Sequence, residues 1–143
     1  MCGRKQGQTP LIMNNQNEIY CYPDINRSAL VIKYKKPFID WLVYLSKEYD
    51  DPGHEMRPEE IGTDKYDSKT VFLIPAFEYD DKFEKYLKKN CKDLFEHILG
   101  DWYTDPNMWP KSRSWKVFKD WFEYEIHSMV FDMVLNEPLE HEG

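Results

Sequence analysis

The chain has 143 residues, 41% apolar and 16% aromatic, with a formal net charge of −7. That length specifies one domain, able to bury roughly 70% of the surface its unfolded chain exposes, and five Trp, ten Tyr and eight Phe supply large buried areas that a disordered chain lacks. The acid excess argues against nucleic acid or an anionic membrane as partner, because both need clustered Lys and Arg.

Residues 1–17 are polar and without periodicity, which predicts a mobile tail ahead of a domain over 18–135, and 136–143 read as a second, acidic tail. "EIYCY", Glu18 to Tyr22, is a candidate edge strand that Pro23 ends. "ALVIKYK", Ala29 to Lys35, is rich in β-branched and aromatic residues and predicts a firm strand. Pro37 then suits the first turn of a helix that runs to about Tyr49. Its stripe is Phe38, Trp41, Leu42, Leu45 and Tyr49.

Residues 50–69 form a long acidic connection that reads as a solvated loop, with a second contact surface or a lid as the functional alternative. A short turn at "PEEI" fits Pro58. "TVFLIPAF", Thr70 to Phe77, is apolar on both faces and predicts a strand covered on both sides, weakened near its end by Pro75. Asp81 and Glu84 match a capping box, opening a helix with Phe83, Leu87, Leu94 and Ile98 on its stripe, Cys91 beside them and Gly100 at its end.

After an aromatic loop, a last helix is expected from Ser114 to about Leu135. The predicted architecture is α+β: a small sheet of two firm strands, with a candidate third, packed against three helices. Pairing of the two firm strands across the intervening helix would be a parallel, right-handed crossover.

Three constellations carry the functional reading. On a wheel advancing about 100° per residue, Glu123 and His127 fall with Lys116 and Asp120 on the face opposite Trp115, Phe118, Phe122 and Met129. That makes them a solvated ladder rather than metal ligands, although Glu-x-x-x-His beside Asp93-x-x-x-His97 has the residue types a metal would take. Glu125 and Asp132 instead fall on the apolar stripe, where charges are rarely unpaired. Tyr86, Asn90 and His97 cluster on the preceding helix and could meet them. The expected seam is a structural network, and alternatively a catalytic site using His97, Glu125 and Asp132 as an acid–base or metal-binding group.

The aromatic loop offers Trp102, Tyr103, Met108 and Trp109, either as a cap on the core or as a binding patch rimmed by Asp101, Asp105, Lys111 and Arg113. Cys2, Cys21 and Cys91 are too few and too scattered for a zinc framework, and their odd number reads as reduced thiols in a cytoplasm. No apolar leader or membrane span is visible, no Gly-rich phosphate loop occurs, and no cofactor or metal is expected.

"MCGR" resembles the start of amidotransferases with an N-terminal cysteine nucleophile and of peptidase-like proteins that cross-link abasic DNA. The resemblance covers four residues, and "KQGQTP" is polar where those folds place an apolar strand. "ALVIKYKKPFIDWL" and "SWKVFKDWFEYEIHSMVFD" together resemble a small family of bacterial proteins of unknown function over about residues 29–135, which implies a bacterial cytoplasmic domain and transfers no site residue. The expected function is a binding or regulatory module acting through contacts with a protein partner or a second copy. The alternative is a small enzyme or metal-binding protein.

Overall fold

The computed structural model describes residues 21–63, 66 and 70–142. Cys2 and residues Glu18 to Tyr20 of the candidate edge strand lie outside the described residues, and Cys21 and Tyr22 belong to no strand.

The first strand, β1, spans Arg27–Tyr34. Helix α1 follows at once over Lys36–Tyr49, with Pro37 in its first turn. Strand β2 spans Val71–Pro75, helix α2 Asp80–Gly100, helix α3 Trp115–Trp121 and strand β3 Phe122–His127. The three strands form one antiparallel sheet in the order β2–β1–β3. A small sheet with three helices is the α+β architecture that the periodicities predict.

Three expectations are corrected. The pairing of β1 with β2 is antiparallel, not a parallel crossover: Val31 faces Val71 and Arg27 faces Pro75. β2 therefore starts beside the end of β1, because the long connection after α1 brings the chain back to that end before it pairs. The last helix stops at Trp121, and residues expected to continue it become β3. The reason is the alternation in "FEYEIH", where Phe122, Tyr124 and Ile126 turn inward while Glu123, Glu125 and His127 are exposed. Phe118 and Phe122, four residues apart and both buried, share a face under a helical or a strand period alike, so the change of period shows only from Tyr124 onward.

The third correction concerns β2. Its inner residues Phe72 and Ile74 pack on the core, but Val71 and Leu73 are 56% and 50% exposed. One face of the sheet is thus open among the described residues. Capping also differs in detail. Tyr79 precedes α2 without a side-chain cap, whereas Ser114 accepts from the Val117 N–H at the start of α3.

The core has two adjoining parts. The larger joins Phe38 and Leu42 of α1, Cys91, Phe95, Ile98 and Leu99 of α2, Phe118 of α3 and Phe122 of β3. The smaller joins Leu30, Ile74, Phe83 and Leu87 between sheet and α2. Tyr49, expected on the α1 stripe, is exposed, and Ser46 takes a buried place instead. Ser46 Oγ donates to the Val43 carbonyl and accepts from the Met56 N–H, both at 2.9 Å. With Ile61 also buried, this ties the connection after α1 to the body of the fold, so its described part is no free lid.

Candidate binding surfaces

The aromatic loop folds back onto the core. Trp102, Tyr103, Met108 and Trp109 are all half-buried. Trp41 Nε1 donates to the Met108 carbonyl at 2.9 Å, and Trp109 Nε1 to the Tyr103 carbonyl at 2.7 Å. Arg113 closes the loop from outside. Its Nε donates to Glu96 at 3.0 Å and its guanidinium lies 5.8 Å from the Trp109 ring centre. This is the cap on the core rather than a presented aromatic patch. One indole is unsatisfied: Trp102 Nε1 is buried with no hydrogen-bond partner.

Tyr103 is the one tyrosine of this loop, and its phenol is strongly perturbed. Burial, then the nearby charge of Asp50 and the hydrogen bond that its hydroxyl donates to Asp50 Oδ1 at 3.2 Å, push its pKa up to about 12. An unfolded tyrosine ionises near pH 10. The stability this group contributes is therefore complete below about pH 10 and is lost as pH rises toward about 12. An ultraviolet titration should show late-ionising phenols, Tyr124 being a second one raised by burial and then by Glu84. Tyr103→Phe should remove the latest of them. An unchanged late phase in that variant would contradict the assignment.

The predicted polar seam does not assemble. Glu125 is on the open face of the sheet, where Lys33 and His127 flank it. The hydrogen bond and charge of Lys33 hold its carboxyl below the usual carboxylate range, and the same contact holds the Lys33 ammonium above its own. Asp132 lies beyond β3, where its N–H donates to the Pro23 carbonyl and its carboxylate accepts from the Val134 N–H. Neither meets His97. Glu123 and His127 are four apart on a strand, about 13 Å at roughly 3.3 Å per residue, too far to share an ion. Among the described residues, no group of three or more His, Cys, Asp or Glu side chains is placed to hold a metal. Cys91 is free and buried, its thiol pKa raised by burial. Cys21 is disulfide-bonded, against the expectation of reduced thiols.

The α2 half of the seam does come together, around a different centre. Tyr86, Asn90, Asp93 and His97 form one wall of a groove of about 300 Å³, with Leu30, Phe72, Ile74, Leu87 and Leu94 as its floor. His97 stands edge-on to Phe72 at 5.4 Å between ring centres, and its Nε2 is 3.8 Å from Asp101 Oδ2. Asn90 Nδ2 donates to the Tyr86 carbonyl at 2.8 Å. The other wall is β2 itself. Leu73 borders the groove although its side chain lies on the sheet's opposite face, so the strand's edge forms that rim.

No family model matches this chain, and neither a curated protein nor a solved structure is significantly similar to it. No helix among the described residues is long and apolar enough to cross a membrane.

The groove was half legible. The grouping of Tyr86, Asn90 and His97 at the edge of the α2 stripe is a local helical pattern. Their partners Leu30 and Phe72 come from strands whose place against α2 no local pattern gives. A second cavity, of about 340 Å³, lies where the start of α2 meets β3, lined by Asp80, Phe83, Glu84, Tyr124, Ile126 and Ser128.

Proposed function

We propose that this protein is a small binding module whose ligand is an extended segment of another protein. The segment adds to the edge of β2 and sets an apolar side chain into the groove between β2 and α2. The observation that carries this reading is the coincidence of two features at one place. β2 pairs only with β1 among the described residues, leaving its other edge with backbone donors and acceptors to offer. Beside that edge lies an apolar floor rimmed by Asn90, Asp93 and His97. Strand addition supplies affinity through main-chain hydrogen bonds and specificity through side-chain pockets. Two observations bear on the setting: the free thiol of Cys91 suits a reducing cytoplasm, and the disulfide at Cys21 an oxidising compartment.

The test is selection of a random peptide library displayed on phage against the intact protein, with Asn90→Trp as counter-target. Asn90 is half-buried on the groove wall, so the indole fills the groove without entering the core. Peptides should enrich on the wild type, lose binding to Asn90→Trp, and shift the amide resonances of Val71 to Ile74. Peptides that bind the folded variant equally well, or no enrichment at all, would overturn the reading.

A further inference from the structure

Helix α2 crosses the sheet over its central strand, with Leu30 of β1 packed against Phe83 and Leu87. An opening is left on each side of the helix. The groove beside β2 is one. The other is the cavity of about 340 Å³ between the start of α2 and β3, lined by Asp80, Phe83, Glu84, Tyr124, Ile126 and Ser128. Local periods explain this set. Asp80 and Glu84 are four apart on a helix, so they are neighbours on its surface, about 5–6 Å apart at Cβ. Tyr124, Ile126 and Ser128 alternate onto the inner face of the sheet. The walls are apolar, with Phe83 buried and Tyr124 and Ile126 half-buried.

Each polar side chain that lines the cavity can accept a hydrogen bond, and none is cationic. Among the described residues, the side chains of Asp80, Glu84, Tyr124 and Ser128 make no hydrogen bond or ion pair, whereas Asp81, just outside the cavity, pairs with Lys85 at 3.6 Å. Glu84 is close to the phenol of Tyr124: after burial, its charge is what raises that pKa. A fifth polar group stands behind these. Ala29 faces His127, which places Ser28 beside Ser128, and Ser28 shares the inner face with Leu30. Ser28 is 0% exposed and its Oγ has no partner. A buried hydroxyl without a partner marks a place for an ordered water or a bound donor. The N-terminus of α2 does not turn the cavity toward anions, because Asp80 and Asp81 occupy its first turn.

We infer that this cavity binds a guanidinium group carried on an apolar stem. Two unpaired carboxylates one helical turn apart match the several in-plane N–H donors of a guanidinium, while an ammonium is a compact point charge that holds its water more strongly. The stem lies along Phe83 and Ile126, and the planar head meets the Tyr124 ring and both carboxylates. A neutral donor of the same shape would leave the two negative charges uncompensated. A metal ion is the poorer match, because among the described residues no three His, Cys, Asp or Glu side chains are placed to hold one. The cavity lies across α2 from the groove beside β2, so its occupancy is independent of peptide binding there.

The test is a titration of the full chain with ethylguanidinium, followed by amide resonances. Those of Glu84, Tyr124, Ile126 and Ser128 should shift and saturate, while those of Val71 to Ile74 stay in place. Ethylurea, of the same shape without the charge, should bind at least about tenfold more weakly, as should ethylguanidinium to Glu84→Gln, since each change removes a charge-assisted bond. Glu84 is exposed, so that variant keeps its fold. Asp81→Asn, an equal charge change on the same turn but outside the cavity, should bind like the wild type. Free arginine and an arginine within a blocked tripeptide then separate the sources: whichever binds more tightly names a small molecule or a polypeptide as the carrier. No saturable shift, equal binding of ethylurea, or full binding to Glu84→Gln overturns the inference. So does binding that emerges only after Arg4→Gln or Lys5→Gln, because the occupant would then be this chain's own cation.

Discussion

Phe95→Ala is expected to lower the free energy of unfolding by about 3–5 kcal/mol. Phe95 is fully buried, and its ring meets three others from two further elements. Phe118 of α3 is 5.9 Å away between centres, Trp121 5.6 Å and Phe122 of β3 5.1 Å. Truncation removes the transfer free energy of the ring and leaves a cavity among aromatic side chains that are themselves held by α1 and α2, so little can collapse into it. A loss of this size is a large share of the 5–15 kcal/mol typical of a domain. Urea unfolding measures it directly. Phe95→Leu should lose less than Phe95→Ala, because it keeps part of the volume. A loss below about 1 kcal/mol on Phe95→Ala, where core Phe truncations cost several, would mean that α2 does not seat on α3 and β3 as described.

Leu30→Ala comes second, at about 2–5 kcal/mol, with a value nearer the lower bound expected. Leu30 is 1% exposed and packs in the smaller core with Ile74, Phe83 and Leu87. It belongs to the central strand, so its loss loosens the seat of α2 on the sheet. It also floors the groove beside β2. A vacancy there opens toward solvent, and water can enter where around Phe95 it cannot. The order of the two losses is therefore part of the expectation. A larger loss from Leu30→Ala than from Phe95→Ala would show that the sheet–α2 contact, and not the aromatic cluster, is the main core.

The legible parts of the sequence share a property: their apolar spacing is local. β1, α1 and α2 each show one period without competition, β2 is a short apolar run without one, and each of the four lies close to its expected residues. The misreading of Glu125 followed from the misreading of α3. A helical period puts Glu125 on the buried stripe and invites a partner on α2. A strand period puts it outside, where Lys33 waits on the neighbouring strand. The aromatic loop went the other way. Its composition left open whether it caps the core or presents a patch, and the bonds from Trp41 to Met108 and from Trp109 to Tyr103 give it the first role in this chain.

By itself, then, the sequence determined an α+β chain, its first four elements, and a polar cluster of Tyr86, Asn90 and His97 on one face of α2. Tertiary structure alone decided where α3 ends, which way β2 runs, and what that cluster faces. The physical reason is range. Phe118 and Phe122 share one face as helix or as strand. The preference for a strand from Phe122 onward comes from pairing with β1, across a separation of 92 residues in the contact of Lys33 with Glu125. Contacts at that separation leave no periodic mark near the residues that make them.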